Sequence, residues 1–573
     1  MPRRNAEVAD LFFEYADLMA ITGGSAHRVR AYERAARSIA GYHDDVGTLD
    51  AKGLKQVPNV GASIAEKILA YLHTGHVEVI EELRAQIPAG VRQLTAVPTL
   101  GPKKAMALYE QLSVSSVDEL VQAINAGRLA ELKGFGEKTA DNILHGISLL
   151  RQAGERVHLD VATGVADEIV AALSAVTGCQ RCTYAGSLRR MRETIGDIDV
   201  LAVATKARPL MNALAGLPQV REVIASGETK TSVRTTAGLQ VDLRVVPPAA
   251  WGAALQYFTG SKAHNIRVRE IAVRAGQKLS EYGLFDAETD EILVSETEED
   301  LYGRLGLPWI PPPLREDRGE IKAALHGELP ALVAETDIRG DLHTHTDLTD
   351  GVSSLEQMLE AAAGRGYEYY AITDHAPDLA MQQMTNAKML AQRERVRALD
   401  GRYAGLRLLH GTELNIGPDG EVDWPADFLA GFDVCVASVH SHFTQSRDAM
   451  TSRLVRVCEN PHVHIIGHPT ARILGKRAAI DADLDAVFAA CARTGTALEI
   501  DAYPDRLDLS DEHVLRAKRY GVRFAIDSDA HSTGHLGFMR FGIGTAQRGW
   551  LTGDDVINTW RLDRLQAFLR KEG

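Results

Sequence analysis

Apolar residues recur at helical spacing through VADLFFEYADLMAI and HRVRAYERAARSIAGY, so the chain to about residue 83 is expected to be helical. A three-fold repeat runs through this region and beyond it: VPNVGASIAEKI at 57–68, VPTLGPKKAMAL at 97–108 and LKGFGEKTADNI at 132–143. Each copy joins an apolar residue, a tight turn ending in glycine (Gly61, Gly101, Gly136) and the start of a helix. From about 155 to 248 the texture changes, and CTYAGS, DIDVLAVAT and LQVDLRVVP read as strands rich in β-branched residues. A smaller mixed segment, 249–315, ends at Pro311, Pro312 and Pro313, a stiff boundary. From about 337 the runs YYAITDH, RLLHGTEL, DVCVASVH, VHIIGHP, TALEID and RFAIDSDAH alternate with helical stretches, which predicts an α/β barrel-like domain.

Composition adds limits. The chain has 573 residues, enough for several domains. No apolar run approaches the roughly 20 residues of a membrane span. The start, MPRRNAEVADLFFEYADL, lacks the apolar core of a signal peptide. A cytoplasmic protein is expected. Five scattered cysteines fit reduced thiols. Cys179-x-x-Cys182 has no second pair at zinc-finger spacing, so packing beside a strand is expected. The net charge of −14 does not suggest nucleic acid, but patches rather than averages bind phosphate.

Chemistry first appears in AGSLRRMRETIGDIDVL. Asp197 and Asp199 alternate on a strand, so their carboxylates share one side. Asp242, in LQVDLRVVP, can sit on a neighbouring strand. Three convergent carboxylates suit two magnesium or manganese ions. Gly186 and Ser187 form a turn that can offer amides to a triphosphate, and Arg190 can add a cationic contact. Gly-Ser followed by Asp-x-Asp at this spacing is the signature of the nucleotidyltransferase superfamily. The front half, to about residue 315, closely resembles DNA polymerase beta and its family X relatives. That resemblance extends to LQYFTGSKAHNIRVRE. It implies Tyr257, Phe258 and Gly260 beside the incoming nucleotide, Asn265 at the base, Arg269 near the template, and Lys230 on the DNA backbone.

The repeats resemble helix-hairpin-helix motifs that bind DNA without reading sequence. Glycine permits close backbone approach, and helix N-terminal amides suit phosphate. Lys67, Lys103, Lys104 and Lys138 add attraction. Asn59 and Thr99 stand where the third copy has Gly134; asparagine tolerates a left-handed backbone and threonine does so poorly. The N-terminal segment also resembles the family's lyase domain. This implies a 5′-phosphate site at His27, Arg28, Tyr32 and Lys55, with Lys67 as the Schiff-base lysine. Ser63 replaces a phosphate-binding lysine of better-known relatives, which weighs on the lyase reading.

The back half carries a denser set: His343, His345 and Asp350 in GDLHTHTDLTDG, His375 in ITDH, Glu413 in GTEL, His440 in SVHSHF, His468 in IIGHPT, and Asp529 and His531 in DSDAH. Nine such residues at successive strand ends are hard to explain by packing, because burying them unpaired costs several kcal/mol each. Imidazole and carboxylate mixtures suit zinc, manganese or iron. The set resembles the PHP (polymerase and histidinol phosphatase) domain at all nine positions. The resemblance implies three divalent metals: one on His343, His345, Glu413 and Asp529, a second on Glu413, His440 and His468, and a third on Asp350, His375 and His531. His442 is expected near substrate; His462 and His464 are expected to be structural or at the surface.

The resulting expectation is a multidomain α+β and α/β chain. It divides into a helical lyase-like region (1–83), a second helix-hairpin-helix unit (84–150), a nucleotidyltransferase palm (151–248), a thumb-like nucleotide-selection domain (249–315), a linker (316–336) and a distorted (β/α)7 PHP barrel (337–573). The implied function is gap-filling DNA synthesis coupled to a 3′–5′ exonuclease. The partners are gapped or nicked duplex DNA with a 5′-phosphate and deoxynucleoside triphosphates, and a monomer near the nucleoid is expected. Two alternatives stand beside it: a small-phosphoester phosphatase with a DNA-binding front, and a non-catalytic DNA-binding scaffold.

Overall fold

The computed structural model describes residues 4–571 apart from 41, 43, 88–90, 92–93, 96, 98–99, 133–134, 137–138, 142, 145, 148–155 and 380–383. The front is helical, as its periodicity predicts. Apolar faces of the helices Asn5–Ile21, Ala26–Ala40 and Ala62–Thr74 meet in a core that also takes in Leu100, Leu108, Leu120 and Phe135. The first two helical units thus share one interior. Gly61 and Gly101 are the N-caps of the helices Ala62–Thr74 and Pro102–Leu112, and nothing lies within 4 Å of where a Cβ would project. Their value is open approach, since neither has positive φ. Gly136 is equally open. Asn59 adopts the left-handed backbone, at φ +61, which asparagine tolerates better than most residues. Thr99, Gly134 and Lys138 lie outside the described residues.

The palm is a five-stranded sheet in the order Cys179–Tyr184, Asp197–Ala204, Gln240–Val245, Lys230–Thr235 and Val220–Ser226. Only the Asp197–Ala204 and Gln240–Val245 strands pair in parallel. Cys179 and Cys182 pack against its core, and both are free thiols. The thumb-like segment joins the helices Trp251–Thr259 and Lys262–Arg274 to a three-stranded antiparallel sheet.

The stretch 316–336 packs against its neighbours. It contains the helix Glu320–His326, and the buried Glu320 accepts from or donates to His264 Nδ1 at 2.7 Å according to their shared proton. Arg315 is fully buried against Glu298, 2.6 Å away. Glu298 also holds Arg189 at 2.8 Å and accepts from Trp309 Nε1.

Behind this joint, seven parallel strands follow chain order: Gly340–Asp341, Tyr369–Ile372, Arg407–Asn415, Val434–Ser438, Ile465–Ile466, Ala497–Asp501 and Phe524–Asp527. A parallel bridge between Thr344 and Ala530 nearly closes the barrel, with His345 N donating to Ala530 O at 2.8 Å. The interior strands are buried along their length, as parallel strands covered on both faces require.

Glu298→Ala leaves Arg189 and the buried Arg315 without their shared carboxylate. A loss of about 3–5 kcal/mol from the palm–thumb unfolding transition is expected in denaturant melts. A transition unmoved by the substitution would refute that role.

Candidate active sites

In the palm, Asp199 and Asp242 are direct partners across the parallel strand pair, and Asp197 lies two residues before Asp199 on the same side. Gly186 caps this edge. It has φ +61, and a Cβ there would lie 2.6 Å from Asp199 Oδ2. Ala185 N also donates to Asp199 O at 2.8 Å. Glycine is therefore required twice, by backbone and by space, and the two halves of the motif touch. Burial, together with the charges of Asp197 and Asp242, pushes Asp199 up to about 6. Burial also acts on Asp242, but hydrogen bonds from Ser232, Lys230 and Gln240 outweigh it and hold that carboxyl below its usual range.

Several front-half residues have partners within the chain. Lys230 pairs with Asp242 at 2.9 Å, from a strand adjacent to that of Asp242, and its side chain stays partly exposed. Its ammonium shows that the triad attracts a cation. Arg190 is already engaged, with Nε donating to Glu316 at 3.0 Å and Nη1 to Thr259 O at 2.5 Å. Gly260 has φ +70 and lies against that guanidinium. Asn265 is buried, accepting from Gln256 and donating to Tyr257 O at 2.7 Å, so it ties the two helices of the thumb-like segment together. Tyr257 and Phe258 are half-buried and edge-on to each other, with Arg269 over Tyr257 and Arg244 over Phe258. Ser187 is half-buried.

At the N-terminus His27, Arg28 and Lys55 are exposed. Tyr32 is buried: it stacks on Phe12 and meets Tyr15 edge-on. Lys67 Nζ lies 5.9 Å from the Tyr32 ring and donates to Ser63 Oγ at 2.8 Å.

In the barrel the nine expected ligands cluster, with five histidines facing Glu413. Its Oε2 faces His375 Nδ1 at 2.8 Å, His343 Nε2 at 3.5 Å and His345 Nε2 at 3.7 Å. Its Oε1 faces His468 at 2.9 Å and His440 at 3.0 Å. Asp529 lies 3.1 Å from His345, and Asp350 lies 3.3 Å from His375 and 3.4 Å from His531. Among the described residues, three groups bring their ligand atoms within 4.8 Å of one another: His345, Asp350, His375 and His531; His343, His345 and Asp529; His375, Glu413 and His440. His345 and His375 each stand between two groups, so the division into three sets is less sharp than the resemblance implies.

The donors fit divalent ions. His343 Nε2 and both ring nitrogens of His345 are buried without a hydrogen-bond partner. Burial opposes charge on His343 and His375, but the surrounding carboxylates win and hold both imidazoles well above their usual range; His531 rises to about 9. This excess of buried negative charge is what bound cations neutralise. His468, buried and near Arg506, falls to about 3 and offers a neutral ring.

A supporting layer went unread in the sequence. Glu499 lies 2.6 Å from His343 Nδ1, and Asn415, itself held by Asp423, lies 2.8 Å from His440 Nδ1. These acceptors turn each Nε2 toward the ligand space. Glu499 lay in plain view in TALEID, one strand removed from the ligands. His442 is exposed outside the cluster, and His464 accepts from Cys435 N as a buried structural group.

Glu499→Gln is expected to weaken metal affinity by about 10–100-fold, read as metal retained per chain after dialysis; full retention would argue against the orienting role. At the palm, a proton competes with metal for Asp199 below about pH 6 while Asp242 stays ionised. Magnesium affinity is expected to fall about tenfold per pH unit below that point. Calorimetric titrations giving one affinity from about pH 5 to 7 would contradict this.

The chain matches four known families: a helix-hairpin-helix domain at 3–77, a SAM-like helix-hairpin-helix tandem at 91–147, the DNA polymerase beta thumb at 254–316 and the PHP domain at 341–502. It is 35% identical to the DNA polymerase/3′-5′ exonuclease PolX of Bacillus subtilis over 99% of both chains. About 40% of it is 27% identical to a probable phosphatase of Thermoanaerobacter, covering 94% of that protein. About half of it (51%) is 24% identical to 53% of rat DNA polymerase lambda. With the triad beneath Gly186 at one end and the ligand cluster around Glu413 at the other, the chain belongs to the bacterial family X DNA polymerases that carry a C-terminal PHP domain.

Proposed function

We propose that the chain fills short gaps in damaged DNA from its palm and trims 3′ ends from its barrel. The observation that carries this reading is the pairing of the palm aspartates and the ligand cluster of the barrel in one chain whose front also carries open helix-capping glycines. Bound divalent ions, magnesium or manganese in the palm and zinc, manganese or iron in the barrel, supply charge neutralisation and activation of the attacking oxygen.

The protein's own groups do the rest. Asp197, Asp199 and Asp242 gather the cations, and Gly186 keeps the turn clear for a triphosphate. Tyr257 and Phe258 border the sugar of a deoxynucleotide, and Arg190 turns to the phosphates. His27, Arg28 and Lys55 present exposed donors for a 5′-phosphate on the downstream strand. Lys67, hydrogen-bonded to Ser63, is placed for Schiff-base chemistry once it gives up a proton. In the barrel, Glu413 is the shared centre, while Glu499 and Asn415 keep the imidazoles aimed. We place the protein as a monomer with the nucleoid in the cytoplasm, where its substrate is.

The test uses a labelled one-nucleotide-gapped duplex with manganese, with and without deoxynucleotides. Asp199→Ala and Gly186→Ala are expected to abolish extension and leave 3′ shortening intact, and His343→Ala is expected to do the reverse. Release of phosphate from a small phosphoester with no DNA shortening would instead favour a phosphatase in the back half.

A further inference from the structure

The loop that follows the Gly186-Ser187 turn rests on the barrel. Met191, at φ +56, packs on Gly544, where a Cβ would come 2.7 Å from its Cε. Leu507 and Phe541 of the back half complete the palm's own core, and Arg472 pairs with Glu193 at 2.7 Å. At this junction the helix Met539–Arg548 ends in Arg548, which is 3% exposed. Its Nη1 donates to Glu316 Oε1 at 2.8 Å and to the carbonyl of Arg190 at 2.9 Å. Its Nη2 donates to Asp511, 2.7 Å away, and Arg318 holds the same carboxylate at 2.9 Å. Glu316 Oε1 also accepts from Arg190 Nε at 3.0 Å. Arg190 of the palm and Arg548 of the barrel therefore share one carboxylate oxygen.

The charge of Arg190 is committed before a nucleotide arrives. To reach a triphosphate, its guanidinium must leave Glu316, whose side chain is only 12% exposed. A largely buried carboxylate stripped of every cation is strongly disfavoured. Arg548 stays behind and keeps it paired. We propose that Arg548, carried by the phosphoesterase half, is a positioning residue for nucleotide addition: it holds Glu316 neutralised so that Arg190 is released to the incoming triphosphate. The bond from Arg548 to the Arg190 carbonyl fixes the point about which that side chain turns. This rests on the reading of Arg190 as a triphosphate contact.

Gap filling by the full chain would be measured against nucleotide concentration for Arg548→Ala, Arg548→Lys, Glu316→Gln, Arg190→Ala and the double variant Arg548→Ala/Glu316→Gln. Arg548→Ala is expected to raise the nucleotide KM about tenfold or more, with a smaller change in kcat and unchanged 3′ shortening. Arg548→Lys keeps the charge and should recover most of the loss. The double variant should return to the KM of Glu316→Gln alone, because a neutral amide needs no cation. An unchanged KM in Arg548→Ala overturns the proposal, as does a double variant no better than Arg548→Ala. Equal losses in both activities with a lowered melting temperature would make Arg548 an interface residue only, which also overturns it. If Arg190→Ala leaves KM unchanged, the underlying assignment of Arg190 falls. That failure is distinct from one in which Arg190→Ala raises KM but Arg548→Ala does not.

Discussion

A carboxylate shut away from water must be met by positive charge, and Glu413 is in that position. It lies on the strand Arg407–Asn415, inside a sheet whose strands all run the same way. Parallel strands in register end at one level, so the chain after each strand can deliver a side chain to the same point. His375 bridges to Glu413 from one neighbour, and His440 and His468 follow the next two strands. Five imidazoles face the two oxygens of this one group. Glu499 and Asn415 then hold the outer edges of two rings, so the arrangement persists through hydrogen bonds as well as charge.

The palm meets the same problem under looser conditions. Its triad sits at the edge of an open sheet, where Asp199 is half-buried and Asp197 exposed. Charge is offset there by Lys230 on a neighbouring strand and by Arg244. Among the described residues, the groups that draw three ligand atoms together all lie in the barrel. The barrel thus brings its candidate ligand atoms together in advance, while the carboxylates of the palm are more widely spaced. The two halves are joined by charges that are themselves largely buried: Glu316 and Asp511 each bind two arginines, one of them Arg548 in both cases. Such a joint cannot open without uncovering unpaired charge, which favours a fixed arrangement of the two sites.

Much of this was readable along the chain because its signals are local. The runs from YYAITDH to RFAIDSDAH became barrel strands, and all of them except TALEID carry expected ligands at or just after their C-terminal ends. Gly-Ser and Asp-x-Asp announced a pairing that the contact between Gly186 and Asp199 realises. Tyr32, Asn265 and Lys230 show what a local pattern leaves open. Aromatic, amide and ammonium groups serve ligands and cores equally well, and only neighbours distant in sequence choose between the two. Tyr32 meets Phe12 and Tyr15, Asn265 meets Gln256 and the Tyr257 carbonyl, and Lys230 meets Asp242. Glu499 was passed over because nothing in TALEID sets it apart from Asp501.

The sequence by itself determined the strand and helix texture through local periodicity, and it marked the three aspartates and the nine His, Asp and Glu candidates through short motifs that resemble those of known families. Tertiary structure decided which of the two oxygens of Glu413 serves which histidine, which outer residues aim those rings, and where the two halves meet. It also decided that Arg190 is bound to Glu316 beside Arg548, residues separated from it by 126 and 358 positions. Pairings across such distances depend on how whole domains pack, and no local pattern encodes them.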